Sequence, residues 1–509
     1  MSARDRLVLA VDLGSGGPKV GYVTLTGEPV WWWYERADAV HGAAVQDAEQ
    51  WWRTITDAAR RGITEGGVDG SRVVGVAVTG QWASTVPVDA DGIPVGECLM
   101  WSDTRGDEYS RAAFGGPVVG YSPKALATWL RRNGGVPNPA GSDPIAHMLH
   151  LDRDRPEVRA RARWYLEPVD YLTMRFTGVA AASPMSMTAA WLTDNRDLSI
   201  LAYDPVLVRL AGVDPAKLPP LVPTGSIVGT VRPDVAELIG IPAGAQVVTG
   251  SLDLHSATVA AGCLHTYQSH ASLGTSSWVS CPVPAKKTDV FRQMASVPGL
   301  GDGGYLLANN QDNAGRALEW FKGAFAPDVD YETLLAAAAQ VPAGSGGVIF
   351  TPWLSGERSP IDDRRARGGF HNLSLDADRA TLTRAVLEGV ALNLRWLLGA
   401  AEKFAGRRFE PIRLLGGGAR TDLWCQIVAD VCDRTFERVA QPLIAGLRGG
   451  ALMLALALGE VSRDEVRPLV PIDGSFVPDP ATRAVYDELY GQFPKLYSNN
   501  KTLFARLND

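Results

Sequence analysis

Lysine is scarce in this chain. Nine of the 49 basic residues are Lys and none follows a Gly, so the phosphate loop G-x-x-x-x-G-K-[ST] is absent and that class of nucleotide enzyme drops out. No H-E-x-x-H occurs, which removes the corresponding zinc enzymes. The five cysteines, Cys98, Cys263, Cys281, Cys425 and Cys432, are odd in number, scattered and without a C-x-x-C spacing. Neither a disulfide framework nor a cysteine zinc site is indicated, and a reducing cytoplasm is the expected compartment. Long apolar runs are missing too: the first, Leu7 to Val11, is cut off by Asp12, too short for a signal-peptide core, and no membrane association is expected. Positive charge is not concentrated anywhere. The chain is net −7 and has no Lys/Arg run able to neutralise several phosphates, so no nucleic-acid partner is expected.

What remains is ample for large cores. At 509 residues, 46% of them hydrophobic, the chain exceeds one domain, and two domains in close contact are expected. Strand patterns such as Val73 to Thr79 and Gln246 to Thr249 alternate with helical stretches, which predicts α/β architecture with helices covering mixed sheets. Gly299 to Gly304 matches G-x-G-x-x-G, but Tyr305, Leu306 and Leu307 continue as a strand, so it reads as a hairpin turn. His147 and His150 lie one helical turn apart with no Cys or carboxylate at a metal-ligand spacing, which favours packing or exposure over metal. Trp31 to Tyr34 reads as an aromatic strand rather than a base-stacking platform.

The informative pattern is an internal echo. A strand ending in Asp12 runs into Leu13-Gly14-Ser15-Gly16-Gly17 before a second strand to Leu25, and Ala271 to Val279 repeats the design with Leu273-Gly274-Thr275-Ser276 at the tip. Small residues let backbone N–H groups converge on phosphate oxygens, and Ser15, Thr275 and Ser276 add hydroxyls. An ordinary glycine-rich turn is the alternative at each tip; two such tips with Asp12 at one of them favour the phosphate cradle. A third cluster, Gly416-Gly417-Gly418, sits between a strand at Pro411 to Leu415 and a helix beginning at Thr421, its expected N-cap. A purely structural turn is again the alternative there. Asp378 to Phe404 predicts a long amphipathic scaffold helix.

Together these pieces resemble the FGGY family of carbohydrate kinases, in xylulose-kinase-like form, over nearly the whole chain. The matching segments are Val11 to Ser15, Gly80-Gln81, Trp101 to Arg105, Asp170 to Leu172, Ser272 to Ser276, Leu354 to Pro360, Glu388 to Val390 and, most specifically, Gly416 to Gln426. The resemblance implies an α/β fold of two ribonuclease-H-like domains of the actin, hexokinase and Hsp70 ATPase type around a catalytic cleft. Residues 1–247 would form the sugar side and 248–509 the nucleotide side. It implies phosphorylation of a hydroxyl of a small sugar or polyol by ATP with Mg²⁺. Asp253 is the implied general base, and it also has a plainer reading as a helix cap. Asp12 is the metal-side carboxylate, and Gln81, Trp82, Ala83, Asp103 and Asp253 address the sugar. Nucleotide contacts are implied at Gly14, Ser15 and Gly16, at Gly274, Thr275 and Ser276, at Gly315 and Glu319, and at Gly416, Gly417, Gly418 and Thr421. A homodimer stays open.

Departures from the family pattern fall on the substrate side. Gly80-Gln81-Trp82-Ala83-Ser84 stands where xylulose kinases usually read Gly-Gln-Met-His-Gly. His147 and His150 occupy the places of a signature Lys and Trp, and Arg448 stands where a small residue is usual. The alternatives to a working kinase are a sugar- or nucleotide-sensing protein of the same fold that has lost phosphoryl transfer, and an actin-like assembling ATPase.

Overall fold

The computed structural model describes residues 2–14, 16–35, 44–118 and 120–508. Its first sheet is built on β1 (Leu7–Gly14), a run of buried aliphatic residues of the kind that occupies a central strand covered on both faces. β1 pairs antiparallel with β2 (Gly17–Thr24), which pairs with edge strand β3 (Pro29–Tyr34). On its other side β1 pairs in parallel with β4 (Val73–Gly80). β5 (Ile227–Thr230), β6 (Gln246–Val248) and the short β7 (Ser251–Leu252) complete the sheet, in the order β5-β6-β4-β1-β2-β3 with β7 also on β4. The aromatic run is the expected strand: Trp31 and Trp33 pack toward the core while Trp32 and Tyr34 face outward, as period-2 alternation demands.

A second sheet repeats this local layout. β8 (Ser269–Leu273) pairs antiparallel with β9 (Ser277–Ser280) and in parallel with β10 (Ile412–Leu415), followed by β11 (Phe436–Val439) and β12 (Ile472–Phe476). Each sheet therefore sets a glycine-tipped hairpin beside a parallel strand, which is the duplication the two echoing segments foretell. Gly299–Gly304 is the turn between the antiparallel strands Met294–Pro298 and Tyr305–Ala308, as expected.

Among the helices, α1 (Ala48–Thr64) and α2 (Pro168–Thr177) cover the first sheet. α3 (Asp253–Ala260) leaves it directly after β7, and α4 (Gly315–Phe325) follows the strand Tyr305–Ala308. The scaffold helix is α5 (Arg379–Ala405). It is capped by the Asp378 carboxylate, which accepts from Thr381 N, and it buries Val386, Leu387, Val390, Leu394, Leu397 and Leu398 as the stripe predicts. α6 (Asp422–Cys432) follows β10. α7 (Ala445–Ala457) belongs by sequence to the second half but packs on α3, β1 and β4. One core cluster therefore joins Val8 and Ala10 of the first sheet, Leu447, Ala451 and Leu454 of α7, and Leu415 and Val439 of the second.

Two residues of α7 explain how it fits. A Cβ on Gly449 would lie 2.1 Å from Ser256 O, so only glycine permits this crossing with α3. Arg448 is 2% exposed, and its guanidinium donates to Gly27 O (3.1 Å), Ala440 O (2.7 Å) and Gln441 Oε1 (3.3 Å). It ties the β2–β3 turn to the segment after β11. Burial without a contacting carboxylate draws it down to about 10.

His147 is buried on the helix Pro144–Asp154, where its ring nitrogens meet Thr85 Oγ1 and Asp103 O, each at 3.3 Å. On the same helix His150 Nδ1 contacts Asp154 at 2.8 Å. All five cysteines are free and buried. Among the described residues, no helix is long and apolar enough to cross a membrane.

Candidate active site

The carboxyl ends of β1, β4, β8 and β10 and the start of α3 open onto one cleft of about 1780 Å³ between the two sheets. This is where open parallel sheets place their ligands. The first hairpin sets Asp12 directly opposite Lys19 on the same face, and their side chains form an ion pair at 3.1 Å. That carboxylate is the main reason Lys19 is held above its ordinary value. Gly446, in the first turn of α7, presses on the same group: a Cβ there would fall 2.5 Å from Asp12 Oδ2.

Asp253 is the first residue of α3 and lines the cleft. The plainer helix-cap reading does not hold: Leu252 takes the N-cap place of α3 with no side chain capping it, and Asp253 Oδ1 accepts from the adjacent Leu254 N at 2.7 Å. Burial raises its carboxyl to about 7; Leu254 N–H opposes the rise, Asp12 adds to it and Arg358 opposes it. A carboxyl poised there can exchange a proton near neutral pH. The loop Leu354–Pro360 positions Arg358 from behind. Glu357 is buried and accepts from Asn393 Nδ2 (2.6 Å), Arg358 N (2.9 Å) and Asp312 N (3.0 Å), and Arg358 Nε donates to Asp312 Oδ1 at 2.7 Å.

Directly after β4, Gln81, Trp82 and Ala83 line the cleft, as do Trp101, Tyr121 and Trp191. Gln81 N donates to Leu13 O at 2.8 Å, while its buried amide oxygen and nitrogen have no partner. A buried amide left open in this way is suited to a hydroxyl-bearing ligand. Asp103 is placed differently from that set. It is buried, bound by Arg105 N and guanidinium, and is not among the residues lining the cleft.

The second hairpin tip, Gly274, Thr275 and Ser276, lines the cleft and receives the start of α4: Gly315 N donates to Gly274 O at 2.8 Å. A Cβ on Gly315 would lie 2.7 Å from that oxygen. Glu319 follows one turn later on the cleft rim.

The triple glycine separates into two roles. Gly416, at φ +94°, and Gly418 both pack on Leu273, and a Cβ on either would clash with it. A Cβ on Gly417 would meet only Leu443 Cδ2 at 3.8 Å, so this glycine faces open cleft. Thr421 takes its expected place. It holds the N-cap position of α6 in extended backbone, yet its hydroxyl caps nothing, because its buried Oγ1 has no partner.

The structure thus gathers Asp12, Gly14, Gln81, Trp82, Ala83, Asp253, Gly274, Thr275, Ser276, Gly315, Glu319, Gly416, Gly417, Gly418 and Thr421 around one cavity. Gly16 lies off its lining, with its carbonyl accepting from Tyr34 OH at 3.0 Å. Ser15 lies outside the described residues. Sequence reasoning missed Lys19 and Arg358. Register counting across the first hairpin finds Lys19, because Gly14 pairs with Gly17 and Asp12 then faces Lys19; Arg358 lies in the Leu354–Pro360 segment that the resemblance marks, which assigns it no role.

Comparison with known proteins agrees with this geometry. Residues 8–260 match the N-terminal domain, and residues 270–458 the C-terminal domain, of the FGGY family of carbohydrate kinases. A xylulose kinase of Staphylococcus epidermidis is 26% identical over 98% of both chains. An L-xylulose/3-keto-L-gulonate kinase of Escherichia coli is 25% identical over 92% of this chain and 91% of its own. The crystal structure of xylulose kinase from Rhodospirillum rubrum superposes with a TM-score of 0.83 at 27% identity, covering 98% of this chain and 100% of that one. The two sheets are those of the actin-like ATPase fold found in such kinases. The chain belongs to the FGGY family of carbohydrate kinases, xylulose-kinase-like in pattern, and is a sugar kinase.

Proposed function

We propose that the enzyme transfers the γ-phosphoryl group of ATP to a hydroxyl of a small sugar or polyol, with Asp253 as general base. The observation that carries this reading is the convergence of Asp253, Asp12 and the tips of both glycine hairpins on one cleft, with burial raising the Asp253 carboxyl to about 7. It lines the same cleft as Trp82, Trp101 and Trp191 and as Gly14 and Gly274 of the two glycine hairpins. Asp253 takes the proton of the attacking hydroxyl, and Lys19 and the hairpin N–H groups hold phosphate oxygens. Gly417 and Thr421 receive the adenosine: one has no Cβ to obstruct a flat ligand and the other offers an unpaired hydroxyl.

Asp12 stands in the cleft with Lys19 beside it, and among the described residues no group of three or more metal-ligating side chains gathers there, a donor set that suits a magnesium ion arriving on nucleotide phosphates rather than held in an all-protein cage. When bound, that ion would neutralise phosphate charge. We assign residues 1–247 to the sugar side and 248–509 to the nucleotide side, with α7 crossing back to close the joint. Five free buried cysteines support a cytoplasmic setting.

Trp82 and Ala83 set the choice of sugar in this reading. An indole offers an apolar face and one N–H, and Ala offers no hydrogen bond. A substrate addressed through a polar ring at this place is therefore disfavoured, and D-xylulose is a poor substrate beside another polyol or ketose. The test is kcat/KM for D-xylulose, xylitol, erythritol, glycerol and D-gluconate in the parent and in the Trp82→Met, Ala83→His double variant. The parent turns over another polyol or ketose faster than D-xylulose, and the double variant moves the ratio toward D-xylulose. Preference of the parent for D-xylulose, with no gain from the double variant, overturns the specificity reading. No turnover of any substrate overturns the function.

A further inference from the structure

Ala83 occupies left-handed backbone, φ +61°, which a side chain with a Cβ disfavours and which persists only where the surroundings impose it. The flanks of its segment are pinned in the ordinary way. Gln81 N donates to Leu13 O and Thr85 N to Leu99 O, both at 2.8 Å. What holds the middle comes from elsewhere in the chain. Glu167, 2% exposed, accepts from Ser84 N at 3.2 Å through Oε2. Ser84 Oγ in turn accepts from Trp101 N at 3.2 Å, so both Trp82 and Trp101, which line the cleft, depend on this one short segment.

The position of Glu167 makes the contact more telling. It stands immediately before α2 in extended backbone, the N-cap place, where a carboxylate would ordinarily accept from its own helix. It makes no such bond. Its side chain turns away to the Ala83–Ser84 backbone, and burial pushes its carboxyl well above the usual range, with Ser84 N–H as the leading opposing influence and Ala83 N–H a lesser one. The start of α2 is itself clamped, because Val169 packs so closely on Gly250 that a Cβ there would lie 2.8 Å from Val169 Cβ. Gly250 lies three residues before Asp253. Glu167 does not line the cleft.

We propose that Glu167 is a specificity-positioning residue: from behind the cleft wall it locks the left-handed turn at Ala83 and so fixes where Trp82 stands against the sugar. This rests on the reading of Trp82 and Ala83 as the sugar wall. Glu167→Gln keeps an acceptor for Ser84 N–H; Glu167→Leu removes it. The probe is whichever of D-xylulose, xylitol, erythritol and glycerol the parent turns over fastest. In Glu167→Leu the KM for that probe rises about tenfold, equivalent to about 1.4 kcal/mol, while kcat and the KM for ATP stay within about twofold. Glu167→Gln stays within about twofold throughout. In an Ala83→Gly background, where the backbone no longer resists φ +61°, the penalty of Glu167→Leu shrinks to about threefold or less. A purely structural role predicts none of this coupling.

An unchanged sugar KM in Glu167→Leu overturns the proposal. So does an equal loss in sugar KM, ATP KM and kcat, and so does a penalty undiminished by Ala83→Gly. If Glu167→Leu does not fold, Glu167→Asp withdraws the carboxyl by one methylene and is read the same way, with a selective rise in sugar KM expected and an unchanged value overturning the proposal. The Trp82→Met, Ala83→His variant separates the two failures: if it leaves the sugar KM unchanged the wall reading fails, whereas a responsive wall with silent Glu167 variants sinks this inference alone.

Discussion

Replacing Asp253 by Asn removes a proton acceptor while keeping size and the oxygen that accepts from Leu254 N. A folded-state value of about 7 against an ordinary 3.8 has two consequences. The first is kinetic: only about one-tenth of the enzyme carries the ionised base at pH 6, so kcat/KM should climb about tenfold per pH unit below pH 7 and level off above it. Asp253→Asn should lose that limb together with about 10² to 10⁴ of turnover, with ATP affinity little changed.

The second consequence is thermodynamic. Between pH 4 and 7 the folded chain holds a proton at Asp253 that the unfolded chain has released, so stability falls as pH rises through that window, by at most about 4 kcal/mol. An uncharged Asn escapes the penalty. Calorimetry at pH 8 should therefore find Asp253→Asn melting above the parent, with the two converging at pH 4. Parent-like turnover in the variant, or a variant less stable than the parent at pH 8, would refute the reasoning, since either result means the cleft carboxylate is not held at a cost for proton transfer.

Gly417→Val should fold normally and weaken ATP binding by calorimetry while sugar binding persists, because its side chain enters open cleft. Gly416→Ala should instead lower the melting temperature, since φ +94° and contact with Leu273 leave no room for a Cβ. Lys19→Met should lower kcat at least about tenfold without unfolding the chain, because it removes a cation from the phosphate side and leaves Asp12 unpaired; unchanged kcat would exclude Lys19 from phosphate binding. Arg448→Met should cost about 3 kcal/mol by thermal or denaturant unfolding, because Gly27 O and Ala440 O lose their charged donor in a buried site.

Legibility followed the range of the interactions involved. The scaffold helix α5, the glycine hairpins and the strand–glycine–helix unit at β10 were readable because their signals are local: a cap, a 3.6-residue stripe, a glycine tip between two strands. The shared cleft followed from the resemblance rather than from periodicity. Thr421 takes its expected N-cap place, but the local pattern does not tell whether its hydroxyl turns inward, since an extended residue before a helix has the right backbone either way. Long-range contacts left no mark in the sequence pattern. Glu167 meets Ser84 across 83 residues and Arg448 meets Gly27 across 421, and no spacing rule pairs such residues. The split of the triple glycine into packing and open positions likewise required knowing that Leu273 lies beneath Gly416 and Gly418.

The central claim is that the phosphoryl group passes to a sugar hydroxyl inside this cleft and not to water. Incubating the enzyme with magnesium, ATP carrying ¹⁸O on its γ-phosphate, and each of D-xylulose, xylitol, erythritol and glycerol, followed by mass spectrometry, tests it directly. The account predicts a sugar monophosphate retaining the three labelled non-bridging oxygens with at least one of these acceptors, and its disappearance in Asp253→Asn; labelled inorganic phosphate as the sole product with every acceptor would contradict it.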